Sequence, residues 1–173
     1  MINDSYCYPA VLMRIIVAGS CLIIAACGFH LRGAYDFPPE MEKVFLQTDH
    51  RDKELEVGLT GALNTGDTQT VAQRSQATAT LRIISSSAGQ KVLSVGTDGR
   101  PREYELFYTV EFELLAGNKQ VLEPTEISLV RDYEFDGIDV LGANQEVRTL
   151  RVAMQRDMVQ MIIRRLASID TVD

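Results

Sequence analysis

The sequence predicts an α+β fold, a two-layer sandwich in which two helices pack on one face of a mixed four-stranded β-sheet. Extended and helical segments follow the order β-α-β-β-β-α along 173 residues, a length that suits one domain. Both helical segments have one apolar face, and the extended segments alternate apolar with polar side chains. Both helices can therefore cover the apolar face of the sheet. The other face, rich in Thr and Glu, is left for water or for a partner.

The first strand and the first helix precede a glycine-containing turn. Residues 44–47 form a short apolar run that we interpret as a strand. Residues 49–52 are suited to cap a helix that ends near Asn64. Its apolar side is formed by Leu55, Leu59, Ala62 and Leu63. Gly58 and Gly61 lower its intrinsic propensity, so tertiary packing must stabilise it.

A half-buried strand and a hairpin turn come next. Residues 78–85 alternate between apolar and polar side chains, as a half-buried strand does. Gly89 is predicted to break this strand, and residues 92–95 resume extended structure. Residues 96–99 read Gly-Thr-Asp-Gly, and the Asp-Gly pair predicts a hairpin turn.

The clearest strand covers residues 102–115. Its apolar face is formed by Tyr104, Leu106, Tyr108, Val110, Phe112 and Leu114, and Phe107 interrupts the polar face. A turn at Gly117 leads to a strand over residues 121–135, with Ile127, Leu129 and Tyr133 facing inward. Pro124 has no amide hydrogen for a strand ladder, so it marks an edge or a bulge.

The last helix is predicted to begin at an Asn144 cap and to end near Leu166. Its core stripe consists of Val147, Leu150, Met154, Met158, Met161, Ile162 and Leu166. We therefore place one α/β domain at residues 43–168, followed by a short tail at residues 169–173.

The overall charge argues against nucleic-acid binding, and the positions of the cysteines argue against a disulfide framework in the domain. The net charge of -7 argues against nucleic acid as the main partner, because phosphate binding needs a basic face. An anionic ligand would have to be held by a local basic cluster. The three cysteines, Cys7, Cys21 and Cys27, all precede the domain, so we expect no disulfide in it.

The N-terminal segment is interpreted as a secretory signal over residues 1–26. Arg14 precedes an apolar run that is shorter than the ~20 residues a transmembrane helix needs. The run ends in Ile-Ala-Ala-Cys, and small residues before Cys27 resemble the lipobox of bacterial lipoproteins. That resemblance implies a diacylglycerol thioether on Cys27, an acyl group on its new amine, and a lipidated tether over residues 27–42. No other cofactor is expected.

Two alternatives stay open for this segment. It could remain as an uncleaved anchor or a buried apolar helix, and a translation start at Met13 would leave a more compact signal. Gly28 follows the cysteine in place of the Asp that retains such lipoproteins in the inner membrane. The resemblance therefore implies the outer membrane.

Three motifs resemble the LptE family of outer-membrane lipoproteins. They are Cys-Gly-Phe-His-Leu-Arg-Gly at residues 27–33, the hairpin at residues 99–105, and Arg-Asp-Tyr at residues 131–133 with Ile-Arg-Arg-Leu at residues 163–166. The resemblance implies two helices on a four-stranded sheet and a plug inside the β-barrel protein LptD. It also implies that the chain helps that barrel fold, binds lipopolysaccharide and catalyses no reaction.

Basic residues near the hairpin are the candidate lipopolysaccharide contacts, because arginine and lysine bind phosphate. Arg100 and Arg102 flank Pro101 just after the turn, and the further candidates are Lys91, Arg82 and Arg131. The alternative is a solvated, charged turn. The family tends to place basic groups also in the loop before the last helix. Residues 136–143 are acidic and apolar instead, so a two-sided basic clamp is not supported.

No motif in the chain predicts catalysis or a metal site. His30 and His50 are far apart in sequence, and no Cys or His cluster accompanies them. Glu111 and Glu113 share one predicted solvated strand face, whereas general acid–base work needs convergent carboxylates. The alternative function is therefore another binding role, that of a free periplasmic-facing lipoprotein module for a different ligand.

Overall fold

The computed structural model describes residues 35–49, 52–66, 68–134 and 140–169, with the backbone alone for residues 140–144. Its elements are β1 (Lys43–Gln47), α1 (Lys53–Leu63), β2 (Gln69–Val71), β3 (Ala79–Val95), β4 (Pro101–Ala116), β5 (Lys119–Glu134) and α2 (Val140–Ala167). The predicted signal, Cys27 and the tether up to residue 34 lie outside the described residues.

The sheet is mixed, as predicted, but has five strands and not four, in the order β2-β1-β3-β4-β5. β1 pairs in parallel with β2 and β3, whereas β3, β4 and β5 pair antiparallel. The strand that the sequence prediction did not include is β2. Its three residues are too few to show an alternation of apolar and polar side chains. It is held next to α1, because Asn64 Oδ1 accepts a 2.8 Å hydrogen bond from the Thr70 amide.

The three long strands form an extended antiparallel meander. β3 runs without a break through Gly89, so the predicted interruption there was wrong. The predicted turn is confirmed: Gly99 has a φ of 75°, and the Gly96 amide donates to the Arg100 carbonyl at 2.7 Å. Pro124 lies in the edge strand β5, beside the register shift opposite Phe112 and Leu114, which confirms both parts of its prediction.

The predicted start is confirmed for one helix and wrong for the other. The cap of α1 is confirmed, because Asp52 Oδ1 accepts a 3.1 Å hydrogen bond from the Leu55 amide. α2 begins at Val140, upstream of the predicted Asn144 cap, which was wrong. Asparagine costs only about 0.7 kcal/mol relative to alanine inside a helix, so a helix that is stabilised by packing farther along can continue through Asn144.

Both helices share one core with the apolar face of the sheet. The fully buried side chains include Leu55, Leu59 and Leu63 of α1, Met158, Ile162, Ile163 and Leu166 of α2, and Leu106, Phe112 and Leu114 of β4. We call the helix-covered side of the sheet the inner face and the opposite side the outer face. Odd-numbered residues of β4 from Glu103 to Glu113 lie on the outer face.

Candidate functional site

The hairpin tip, residues 92–102, combines exposed apolar groups with arginines. Val92, Leu93 and Val95 are 48%, 46% and 63% exposed, respectively, whereas Ala79 and Leu81 at the start of β3 are buried. Arg100 and Arg102 lie on the other side of the turn, and both are exposed. An exposed apolar surface beside cations suits a ligand that is both apolar and anionic.

The two arginines of the tip are loosely held. Arg102 Nη2 lies 3.9 Å from Asp98 Oδ2, and both side chains are about half exposed. The amide of Arg100 donates to Asp98 Oδ1 at 3.2 Å, but its guanidinium forms no ion pair with any described residue. Exposed pairs of this kind contribute about 0–1 kcal/mol, so both guanidinium groups can turn to a phosphate at little cost.

The other predicted basic residues do not join this cluster. Lys91 lies near the tip on the outer face, where its ammonium is 2.6 Å from Glu105. Arg82 pairs with the buried carboxylate of Glu113 at the far end of β3. Arg131 lies on the inner face, with Nη2 3.1 Å from Asp157 Oδ2 of α2. The structure therefore brings together Arg100 and Arg102, with Lys91 nearby, and separates the remaining two.

A polar network that the sequence did not predict anchors the hairpin below its tip. Asp52 Oδ2 accepts hydrogen bonds from the Tyr108 hydroxyl at 2.6 Å and from the Ser86 hydroxyl at 2.8 Å. Burial raises the pKa of Tyr108, and the hydrogen bond to Asp52 and the charge of Asp52 raise it further. The capping residue of α1 is thereby bonded to the middle of β3 and β4.

Two stacked tyrosines support the inner face close to the tip. The rings of Tyr104 and Tyr133 are 5.3 Å apart and inclined by 10°. Burial raises the pKa of Tyr133, and the neighbouring Tyr104 raises it further. The stack links β4 to β5 and stiffens the base from which the tip projects.

A small cavity lies between α2 and the middle of the hairpin strands. Its volume is about 130 Å³, and its lining includes Leu106, Tyr108, Arg151 and Met154. Ligand sites for drug-sized molecules occupy about 300–1,000 Å³, so this cavity is too small to hold a lipid chain. The tip is the better candidate for an amphiphilic ligand.

The described ranges also contain no group of three or more His, Cys, Asp or Glu side chains that could hold a metal ion. Among the helices of these ranges, none has an apolar stretch long enough to cross a membrane. His30, His50 and the candidate lipidation site Cys27 lie outside the described residues.

Comparison with known sequences gives one consistent family. The LptE family, described as Lipopolysaccharide-assembly, matches residues 43–166. The LPS-assembly lipoprotein LptE of Pectobacterium atrosepticum is 25% identical over 160 residues, covering 92% of this chain and 86% of that protein. The protein of the same name from Yersinia enterocolitica is 27% identical over 157 residues, covering 90% of this chain and 75% of its own length.

Solved structures agree with the fold. Lipoprotein B from Nitrosomonas europaea superposes with a TM-score of 0.70 at 28% identity, covering 82% of this chain and 91% of that chain. The rare lipoprotein B from Shewanella oneidensis has a TM-score of 0.62 at 27% identity, covering 73% and 94%, respectively. The similarity thus extends over most of this chain.

Proposed function

This chain belongs to the LptE family of lipopolysaccharide-assembly proteins, and we propose that it is a lipid-anchored subunit that places lipopolysaccharide in the outer leaflet together with an LptD-like β-barrel. The family match over residues 43–166 carries this proposal, because it spans both helices and the complete sheet. In this role the chain occupies the barrel as a plug, aids its folding and binds lipopolysaccharide without catalysing a reaction.

Anchoring would be through Cys27. Each buried CH₂ group contributes about 0.8 kcal/mol, and a single acyl chain holds a protein only marginally. A diacylglycerol thioether and an N-acyl group on one cysteine together make a lasting anchor. Gly28 in the following position favours the outer membrane, with the folded domain facing the periplasm and the barrel interior.

Lipopolysaccharide binding is assigned to the hairpin tip. The ligand carries phosphates as well as acyl chains, and the tip offers Arg100 and Arg102 beside exposed Val92, Leu93 and Val95. Arginine can bind a phosphate through two parallel hydrogen bonds. Lys91 could join them only by leaving Glu105, which makes it a secondary contact.

Purification from native outer membranes tests the proposal. A C-terminally tagged chain, extracted in mild detergent, should retain one large β-barrel protein in equal amount, together with lipopolysaccharide. Cys27→Ser should abolish incorporation of a labelled fatty acid into the chain, whereas the matched Cys21→Ser variant should not, since Cys21 precedes the cleavage point. Recovery of the lipidated chain alone would favour a free binding module and contradict the barrel assignment.

A further inference from the structure

The outer face of the β3-β4-β5 meander carries acidic side chains directly opposite one another. Five of its cross-strand rows matter here: Ser85, Glu111 and Glu126; Ser87, Thr109 and Ser128; Gly89, Phe107 and Val130; Lys91, Glu105 and Asp132; and Ser94, Glu103 and Glu134. In the next row, at the far end of β3, Arg82 is paired with the buried Glu113. In three of the five rows the β4 and β5 residues are both acids. Like charges placed directly opposite in a sheet are destabilising.

Little in the described chain compensates for this repulsion. Lys91 is the one basic residue of the five rows, and it pairs with Glu105. Glu111 and Glu126 form no ion pair with a described residue, and neither do Glu103 and Glu134. Arg131 cannot help, because it lies on the inner face beside Asp157. Conflicts between local rules and the fold concentrate at functional sites, which suggests that a partner supplies the missing cations.

The centre of the outer face is apolar. Phe107 lies over Gly89, and the neighbouring Val130 is 43% exposed. The adjacent row is uncharged, with the hydroxyls of Thr109 and Ser128 2.9 Å apart. An apolar centre between charged rows is the usual anatomy of a protein–protein contact.

We propose that the outer face docks on a basic protein surface, namely the wall of the barrel partner, whose arginine or lysine side chains flank an apolar contact with Phe107 and Val130. This inference rests on the proposed function, and it names the surface through which the chain meets the barrel. An anionic amphiphile is the wrong occupant, because its phosphates would face Glu111, Glu126, Glu103 and Glu134.

The area of the outer face shows how large a share of an interface it can form. It is about 30 Å long and about 15 Å wide with its side chains, given strand spacings of about 4.8 Å. That is about half of the ~800 Å² that one partner buries in a standard interface. The outer face therefore forms part of a larger contact, in which its charge governs association rate and orientation more than total affinity.

A double charge reversal on β5 tests the docking. Glu126→Lys with Glu134→Lys replaces two like-charge pairs by opposite-charge pairs. The isolated chain should become more stable, with a Tm higher by about 2–5 °C. Association with the purified barrel at low salt should slow by about fivefold or more, and this difference should shrink at high salt. A chain that is more stable yet binds more weakly cannot be explained by misfolding.

The matched control is Glu42→Lys with Glu146→Lys, which makes the same change in net charge at exposed positions away from the outer face. It should bind at nearly the wild-type rate. Equal slowing in both variants, or unchanged binding in the β5 variant, would overturn the docking. The docking would also be overturned if the β5 variant lost lipopolysaccharide binding while its binding to the barrel stayed intact. A wild-type chain that does not bind the barrel would overturn the proposed function itself, and the docking with it.

Discussion

The ring of Phe107 lies directly against the backbone of Gly89, its cross-strand neighbour on the outer face. A Cβ atom built on Gly89 would fall 2.6 Å from Phe107 Cζ and 2.8 Å from Cε1. The aromatic ring thus covers the position where a side chain on β3 would be. This explains why a glycine persists inside a long strand without breaking it, and why Phe107 interrupts an otherwise polar strand face.

Gly89→Ala is expected to destabilise the domain by about 1–3 kcal/mol, because the added methyl group forces the Phe107 ring to move. Gly61→Ala is the control, since a Cβ atom added to this glycine of α1 would have no neighbour within 4 Å. There, removing a helical glycine should stabilise by about 0.5–1 kcal/mol. Urea unfolding of both variants measures the difference. Equal and small effects would mean that the ring does not depend on the glycine.

Tyr108→Phe should remove the hydroxyl that donates to Asp52 and lower the free energy of unfolding by about 1.5–3 kcal/mol. It should also change the alkaline behaviour. The pKa of Tyr108 is raised in the folded state, so its contribution is fully present below pH ~10 and is lost as the pH rises above that value. Wild-type stability should therefore fall above pH ~10, and less so in the variant.

Tyr35→Phe provides the matched comparison for that experiment. Its hydroxyl donates to Gln160 Oε1 at the protein surface. In this control, chemical denaturation at pH 8 and pH 11 should show the same fall in the free energy of unfolding as in the wild-type protein. Tyr133, whose pKa is also raised by burial, leaves a residual slope in the Tyr108→Phe variant. An unchanged slope in that variant would contradict the role given to Tyr108.

The long elements could be predicted because their periodicity is repeated many times. β4 shows six alternating apolar residues, and the buried residues of α2 recur at helical spacing. β2 could not be found, since three residues in Gln69–Val71 carry no pattern and their placement depends on pairing with β1. The strand break predicted at Gly89 was wrong because it also depends on a neighbouring strand: Phe107, which packs on Gly89, lies on β4.

The candidate site was predictable only where it is local in sequence. Arg100 and Arg102 followed from the Asp-Gly turn, which fixes the tip of the hairpin. The alternation that places Leu129 and Tyr133 inward also places Arg131 inward, a signal available in the sequence. The bond between Asp52 and Tyr108 spans 56 positions and has no such signal.

Arg82 is expected to be a stabilising residue and not a lipid contact. Its partner Glu113 is buried, with a side chain only 4% exposed, and also accepts a 3.0 Å hydrogen bond from Gln120. Arg82→Ala should lower the free energy of unfolding by about 1–2 kcal/mol. This is less than for a fully buried pair, because Arg82 itself is 45% exposed. Arg74→Ala, at an exposed position, should change it by less than about 0.5 kcal/mol. Weaker lipopolysaccharide binding with unchanged stability in Arg82→Ala would reverse this assignment.

Arg100→Glu with Arg102→Glu should weaken lipopolysaccharide binding by about tenfold or more, because each lost phosphate contact is a charge-assisted hydrogen bond. Stability should change little, since neither guanidinium has a buried partner. Arg74→Glu with Arg156→Glu makes the same charge change at exposed positions away from the tip. Binding of fluorescent lipopolysaccharide to the purified, lipidated chain separates the two variants. If both weaken binding equally, the tip has no special role and the net charge governs the association; if only the tip variant does, the phosphates are held at the hairpin.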